Sequence, residues 1–212
     1  MKITSLSEYK GDTWEIVLDS GQKIFVNELV VSDCRLFEGK EISAADLSAI
    51  TSADLVRKAK KRALYLLGER AYCRAELYSK LEKTYNAEIA EEAVSYVEEL
   101  GYIDDEDYAA KYAEYLIKVK KHGVYKAKQE MLHKGIPREL CENALAEYSE
   151  EELDEELTEL IGKKYIDKIA DFDGRRRTVA ALVRRGYDFT SVKRCIAKCL
   201  EDFDGEEFYE NE

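Results

Sequence analysis

Glycines recur at a fixed interval in the second half of the chain: Gly123 and Gly174 are 51 residues apart, and so are Gly135 and Gly186. The same offset carries Leu81 to Leu132 to Val183, Ala93 to Ala144 to Cys195, Val94 to Leu145 to Ile196, and Val97 to Tyr148 to Cys199. Basic residues keep the register at Lys83, Lys134 and Arg185. A repeat of this length restricts the fold to stacked units, because one unit of about fifty residues cannot bury its own apolar face. The spacing predicts a mainly α protein of three tandem three-helix repeats, 55–102, 103–150 and 151–200, forming an elongated, curved array.

Helical periodicity supports the units. Leu55, Ala59, Ala63 and Leu66 share a stripe, as do Ile89, Ala93, Val97 and Leu100, then Tyr108, Tyr112, Tyr115 and Val119, and later Leu153, Leu157, Leu160 and Ile161. With one proline, Pro137, there are few helix breakers. Gly135 and Gly186 are placed to end the second helix of their repeats in a left-handed cap, and Pro137 and Asp188 to start the third. In "GYIDDEDYA", 101–109, Asp104 or Asp105 is expected to cap the next helix.

Residues 1–50 follow another period. Trp14, Ile16 and Leu18 alternate, as do Ile24 and Val26, which predicts a small β-rich extension of three strands. Ser43 to Asp46, "SAAD", has capping-box spacing and is expected to open a short helix ending near Ile50. At the other end, 201–212 is an acidic tail without apolar period, expected to be disordered.

The formal charge is −12, yet its distribution is uneven. Acids crowd 150–159 and 201–212, while bases crowd 55–83 and 170–199. No glycine-rich phosphate loop, metalloprotease helix or nucleophile elbow occurs, so no catalytic residue, metal ligand or cofactor is assigned. His122 and His133 lie at basic helix ends and read as solvated. Asp104, Asp105 and Asp107 read as a cap and a solvated first turn. Cys195 and Cys199, one helical turn apart at apolar positions, read as core thiols rather than half a metal site. The opening residues lack the apolar core of a signal peptide, and no apolar run reaches the length of a membrane span. Both point to a reduced, cytoplasmic setting away from membranes.

Basic blocks recur on the repeats, and each is either the solvated face of an amphipathic helix or part of a positive surface for an anionic partner. The candidate contacts are Arg57, Lys58, Lys60 and Lys61 in the first repeat, and Lys118, Lys120, Lys121 and Lys126 in the second. In the third they are Arg175, Arg176, Arg177, Arg184, Arg185, Lys193 and Arg194. Arginine is suited to such contacts by its forked geometry toward phosphates and carboxylates. No helix carries a base-reading set, so sequence-specific DNA recognition has little support.

Four stretches carry a resemblance: "ALYLLGERAYCRAELYSKLEKTY", "GYIDDEDYAAKY", "GVYKAKQEMLHKGIPRELCENAL" and "RRRTVAALVRRGYDFTSVKRCI". Over about 55–200 the chain resembles the RecX family, bacterial regulators of the RecA recombinase in DNA repair, homologous recombination and the SOS response. Its β-rich extension is similar to that of Gram-positive members. Thr84-Tyr85 departs from the family, where many first repeats carry glycine, and the acidic tail has no family role. The resemblance implies a non-enzymatic, monomeric protein whose array lies in the groove of the RecA–DNA filament and inhibits its ATPase and strand exchange, with weak direct DNA contact. The alternatives are a nucleic-acid-binding protein acting through its basic faces and a helical adaptor for another partner.

Overall fold

The computed structural model describes residues 1–209, with side chains through Glu201. Two thirds of it is helical, with a three-stranded N-terminal sheet. The chain divides into two compact units, 1–72 with 77–103, and 73–76 with 104 onward.

In the first unit, β1 (Ile3–Lys10), β2 (Thr13–Leu18) and β3 (Lys23–Asn27) form an antiparallel meander in the order β1-β2-β3. Ile16 stands opposite Leu6 on one side and Ile24 on the other. The alternation works as expected on one face: Ile3, Ile16, Leu18 and Val26 are buried with Val30, Leu36, Ile42 and Ile50. Val30 belongs to α1 (Glu28–Asp33), capped by the Asn27 side chain.

Ser43 and Asp46 form the expected capping box, but the helix they open does not stop near Ile50. It continues as α2 (Ala44–Glu69), because Thr51 to Asp54 contains neither glycine nor proline to end it. Asp54 is nearly buried in this seam. Its carboxylate accepts the Asn27 backbone N–H at 2.8 Å and pairs with Lys58 at 2.6 Å, which satisfies a charge that burial would otherwise penalise. Further along α2, Ala59, Ala63 and Leu66 pack with α3 (Arg74–Glu82) and α4 (Ala87–Glu99). Leu55 and Leu100, expected on core stripes, are exposed at the edges of this cluster.

The second unit contains α5 (Asp105–Glu114), α6 (Val124–His133), α7 (Arg138–Ala146), α8 (Glu150–Lys164), α9 (Phe172–Arg184) and α10 (Phe189–Tyr209). The expected tyrosine stripe on α5 is displaced. Ala109, Ala113, Leu116 and Ile117 are buried, Tyr108 and Tyr112 are half-buried, and Tyr115 and Val119 face solvent. A π-helical turn over Tyr115–Val119 follows α5 and rotates the face. Reading tyrosine as the core residue missed that alanine lets the neighbouring helices approach. α10 continues beyond 200, its backbone helical to Tyr209 where a disordered tail was expected, and the last part of that tail, 210–212, lies outside the described residues.

The third helices hold the 51-residue register: Ala90, Cys141 and Val192 are buried, as are Val94, Leu145 and Ile196. The second helices do not hold it throughout. Their buried pairs are Leu77 and Leu81, Ala127 and Met131, and Thr178 and Leu182. Leu132 is half-buried and Val183 exposed, so the expected Leu81–Leu132–Val183 set is not a core set. The cause is one residue of turn. After Met131 and Leu182 a left-handed glycine, Gly135 (φ +88°) or Gly186 (φ +89°), lets Ile136 and Tyr187 donate back to Met131 and Leu182. After Leu81 the turn has no glycine and is one residue shorter, with Tyr85 donating directly to Leu81.

Gly123 and Gly174 are not equivalent either. Gly123 is the N-cap of α6, whereas Gly174 lies inside the first turn of α9, where a Cβ would meet the Lys168 carbonyl at 1.8 Å. The capping glycines also make the steps within this unit. A Cβ on Gly135 would meet the Ala75 Cβ at 2.5 Å, and one on Gly186 would meet Lys126 N at 2.3 Å. Ala75 and Lys126 are themselves 51 residues apart, so one close-packed step is used twice.

Candidate functional site

The fifteen basic candidates separate by what their side chains already hold. Arg185 donates from Nη2 to the Lys120 carbonyl at 2.8 Å and from Nε to the Lys121 carbonyl at 3.3 Å. Lys121 has a left-handed backbone (φ +52°), and its ammonium bridges Glu156 and Glu159 on α8. Burial alone would lower its pKa, but the hydrogen bonds to the two carboxylates outweigh that and raise it. Arg194 pairs with Asp154 at 2.6 Å. Lys126 is half-buried under Gly186. Arg185, Lys121 and Lys126 join the second and third helical clusters of the unit, while Arg194 ties α10 to α8 within the third.

Others form surface pairs: Lys118 with Glu114, Lys60 with Glu92 and the Tyr96 ring, and Arg57 with Asp33, while Lys58 pairs with the nearly buried Asp54. Lys120 lies over the Tyr115 ring. Arg177 donates from Nε to the Asp173 carbonyl. Lys61, Arg175, Arg176, Arg184 and Lys193 have no ion pair among the described residues.

Two grooves gather several of these basic side chains. In the first unit Lys61, Lys58 and Arg57 of α2 meet Lys10 and Gly11 of the β1–β2 turn around a groove of 630 Å³, whose lining also includes Asp12 and Asp54. In the second unit Arg175 and Arg176 of α9 face Lys193 of α10 across a groove of 370 Å³, floored by Phe172, Val179, Phe189 and Ile196. Lys10, Phe172 and Phe189 were missed in the sequence. The signal available for the phenylalanines was their place beside the arginines and off the apolar stripe.

The second three-helix domain of RecX matches residues 104–145, which run from the cap of α5 to the end of α7. Regulatory protein RecX of Listeria monocytogenes is 27% identical over 209 residues, covering 96% of this chain and 78% of its own length. The chain is similar to RecX proteins over nearly its whole length. Regulatory protein RecX of Prosthecochloris aestuarii is 29% identical over 145 residues, covering 68% of this chain and 95% of its own. A crystal structure of regulatory protein RecX superposes with a TM-score of 0.71 at 24% identity, covering 91% of this chain and 97% of that one, and so shares the fold.

The matched RecX domain opens on the double aspartate, whose members divide the work. Asp104 caps α5 through the Asp107 N–H, and Asp105 accepts the Arg74 backbone N–H at 2.8 Å. Glu76, Lys134 and Tyr108 form a second link at the same place, with Lys134 3.1 Å from Glu76 and over the rings of Tyr108 and Tyr112.

His122 is not the solvated residue expected of a basic helix end. Its Nδ1 is buried without a hydrogen-bond partner among the described residues, 3.4 Å from Glu130, and burial lowers its pKa. His133 is exposed. Cys73, Cys141, Cys195 and Cys199 are buried, and burial raises Cys73, Cys141 and Cys195 above the usual thiol range. Such thiols are packing groups, since reaction requires an accessible thiolate. Among the described residues no helix is long and apolar enough to cross a membrane.

Proposed function

We propose that this chain is a non-enzymatic cytoplasmic regulator that binds the RecA recombinase, or its DNA filament, as a monomer and inhibits its ATPase and strand exchange. Similarity over nearly the whole chain to relatives named regulatory protein RecX carries the reading. The division into repeats at 55–102, 103–150 and 151–200 is part of the same proposal. Arg175, Arg176 and Lys193 are the contacts best placed for a partner, because their charges are not spent inside the fold. Lys61, Arg57 and Lys58 come next.

The test is RecA's DNA-dependent ATPase with increasing amounts of this protein, alone and with Arg175, Arg176 and Arg177 reversed to glutamate. Inhibition by the wild type and its loss in the variant is the expected result. An unchanged ATPase at every ratio overturns the reading.

A second reading, direct nucleic-acid binding, is favoured by the groove lined by Lys10, Arg57, Lys58 and Lys61. It requires DNA affinity in the absence of RecA that falls steeply with salt.

A further inference from the structure

The position at 91, 142 and 193 recurs once in each third helix and reads Glu, Glu, Lys. In the second repeat its role is visible: Glu142 of α7 pairs with Lys128 of α6 at 2.7 Å, closing the groove between those helices, and the pair holds the Glu142 carboxyl below its usual range. The third repeat inverts this arrangement. Lys193 stands where the acid was, Val179 stands where Lys128 was, and Arg175 and Arg176 line the same groove. Three cations therefore share one groove, with no carboxylate paired to any of them among the described residues. Like charges so placed repel, and an external carboxylate would relieve them.

The floor of this groove is apolar and open. Phe172 is 74% exposed and Phe189 51% exposed, with Val179 and Ile196 between them. An aromatic floor with a cationic rim suits either a base-stacking strand or an acidic peptide with an apolar anchor. Two observations favour the peptide. Lys193 lies over the Phe189 ring at 4.5 Å, leaving less open face for a base. The molecule carries a net charge of −12, with acids concentrated at 150–159 and 201–212, and so repels an extended polyanion more than a short acidic segment.

We propose that the α9–α10 groove is a docking site for a short acidic protein segment with an aromatic or aliphatic anchor, the anchor seated on Phe172 and Phe189 and its carboxylates on Arg175, Arg176 and Lys193. It supplies from outside the acid that the second repeat supplies from within. The proposal rests on reading the chain as a protein-binding regulator and names the chemistry of its partner.

The test uses the full chain, with fluorescence anisotropy of a labelled peptide, Asp-Glu-Phe-Glu-Glu-Leu-Asp-Glu, and of labelled oligothymidine as a second probe. The peptide is expected to bind saturably and to weaken about tenfold or more in Lys193→Glu and in Phe172→Ser, the scale of loss for a reversed charge pair or a removed anchor. Reversing Lys61 in the other groove should leave peptide binding unchanged. Lys193→Glu restores the charge of the second repeat, so its melting temperature should hold or rise, which separates lost docking from lost folding. No saturable peptide binding, or binding unchanged in both variants, overturns the proposal. So does tighter binding of oligothymidine that the same variants abolish. The peptide assay contains no RecA, so an unchanged RecA ATPase alongside intact peptide docking would remove the RecA reading alone.

Discussion

Arg185 donates a hydrogen bond to the backbone carbonyl of Lys120 at 2.8 Å, 65 positions earlier in the chain. Its Nε reaches the next carbonyl, that of Lys121, so one planar guanidinium closes the C-terminal end of the π-helical turn. Arg185→Ala should cost about 1.5–3 kcal/mol, the range for hydrogen bonds from a charged donor. Arg185→Lys should recover a minor share, since an ammonium cannot span two carbonyls as a fork does. Urea unfolding measures both, and an unchanged midpoint in the alanine variant would remove the structural role.

The opposite outcome is expected nearby. Reversing Arg175 and Arg176 to glutamate should shift stability by no more than about 0.5 kcal/mol, because these side chains hold nothing in the fold. The same variant should lose inhibition of RecA's ATPase. Comparing it with Arg185→Ala in both assays tests whether neighbouring arginines of one short segment divide into a surface pair and a structural one.

That division marks the limit of what the sequence could tell. The 51-residue register was legible where Gly135 and Gly186 make the same left-handed turn and where the third helices bury equivalent apolar positions, but Gly123 and Gly174 share only the spacing. The three strands and the Ser43–Asp46 cap were legible for the same local reason. Lys121 and Arg185 were not separable from Arg175, because their partners, Glu156, Glu159 and two carbonyls, are distant in sequence. The core of α5 was misread because helix spacing alone does not show whether alanine or tyrosine turns inward.

Glycines give a test of the backbone. Gly186→Ala should destabilise by about 1–3 kcal/mol, from its left-handed φ and a Cβ 2.3 Å from Lys126 N. Gly68→Ala, in α2 with nothing within 4 Å of the added carbon, should stabilise by about 0.5–1 kcal/mol. Thermal melts that move both variants in one direction would contradict the assignment.

The Glu159 carboxyl is pulled down to about 2 by hydrogen bonds from Lys121 and Lys163. Its contribution is fully present above the usual glutamate range, near 4.3, and is lost as pH falls toward the depressed value. Carbon NMR of the side chain should show that low midpoint, with Lys121→Met moving it back up. A midpoint in the ordinary range in the wild type would show that the bridge does not form in solution.

His122 titrates with a similar sign from another cause. Burial lowers its pKa, so the native state resists a proton that the unfolded chain accepts near 6.5. The stability this confers is present above that value and declines as pH falls below it. Between about pH 7.5 and 5.5 the wild type should lose more melting temperature than His122→Gln. Parallel curves would show that the imidazole is accessible to solvent.

The continuity of α2 has a mechanical consequence. Over 26 residues it rises about 39 Å, with Ile50 in the core of the sheet and Ala59, Ala63 and Leu66 in the core of the first helical cluster. With no hinge residue between them, the sheet is fixed to a shaft. A torque applied to the strands by anything that grips them is delivered to the first cluster through unbroken helical hydrogen bonds. The N-terminal extension therefore acts on the first cluster as a lever rather than as a tethered appendage.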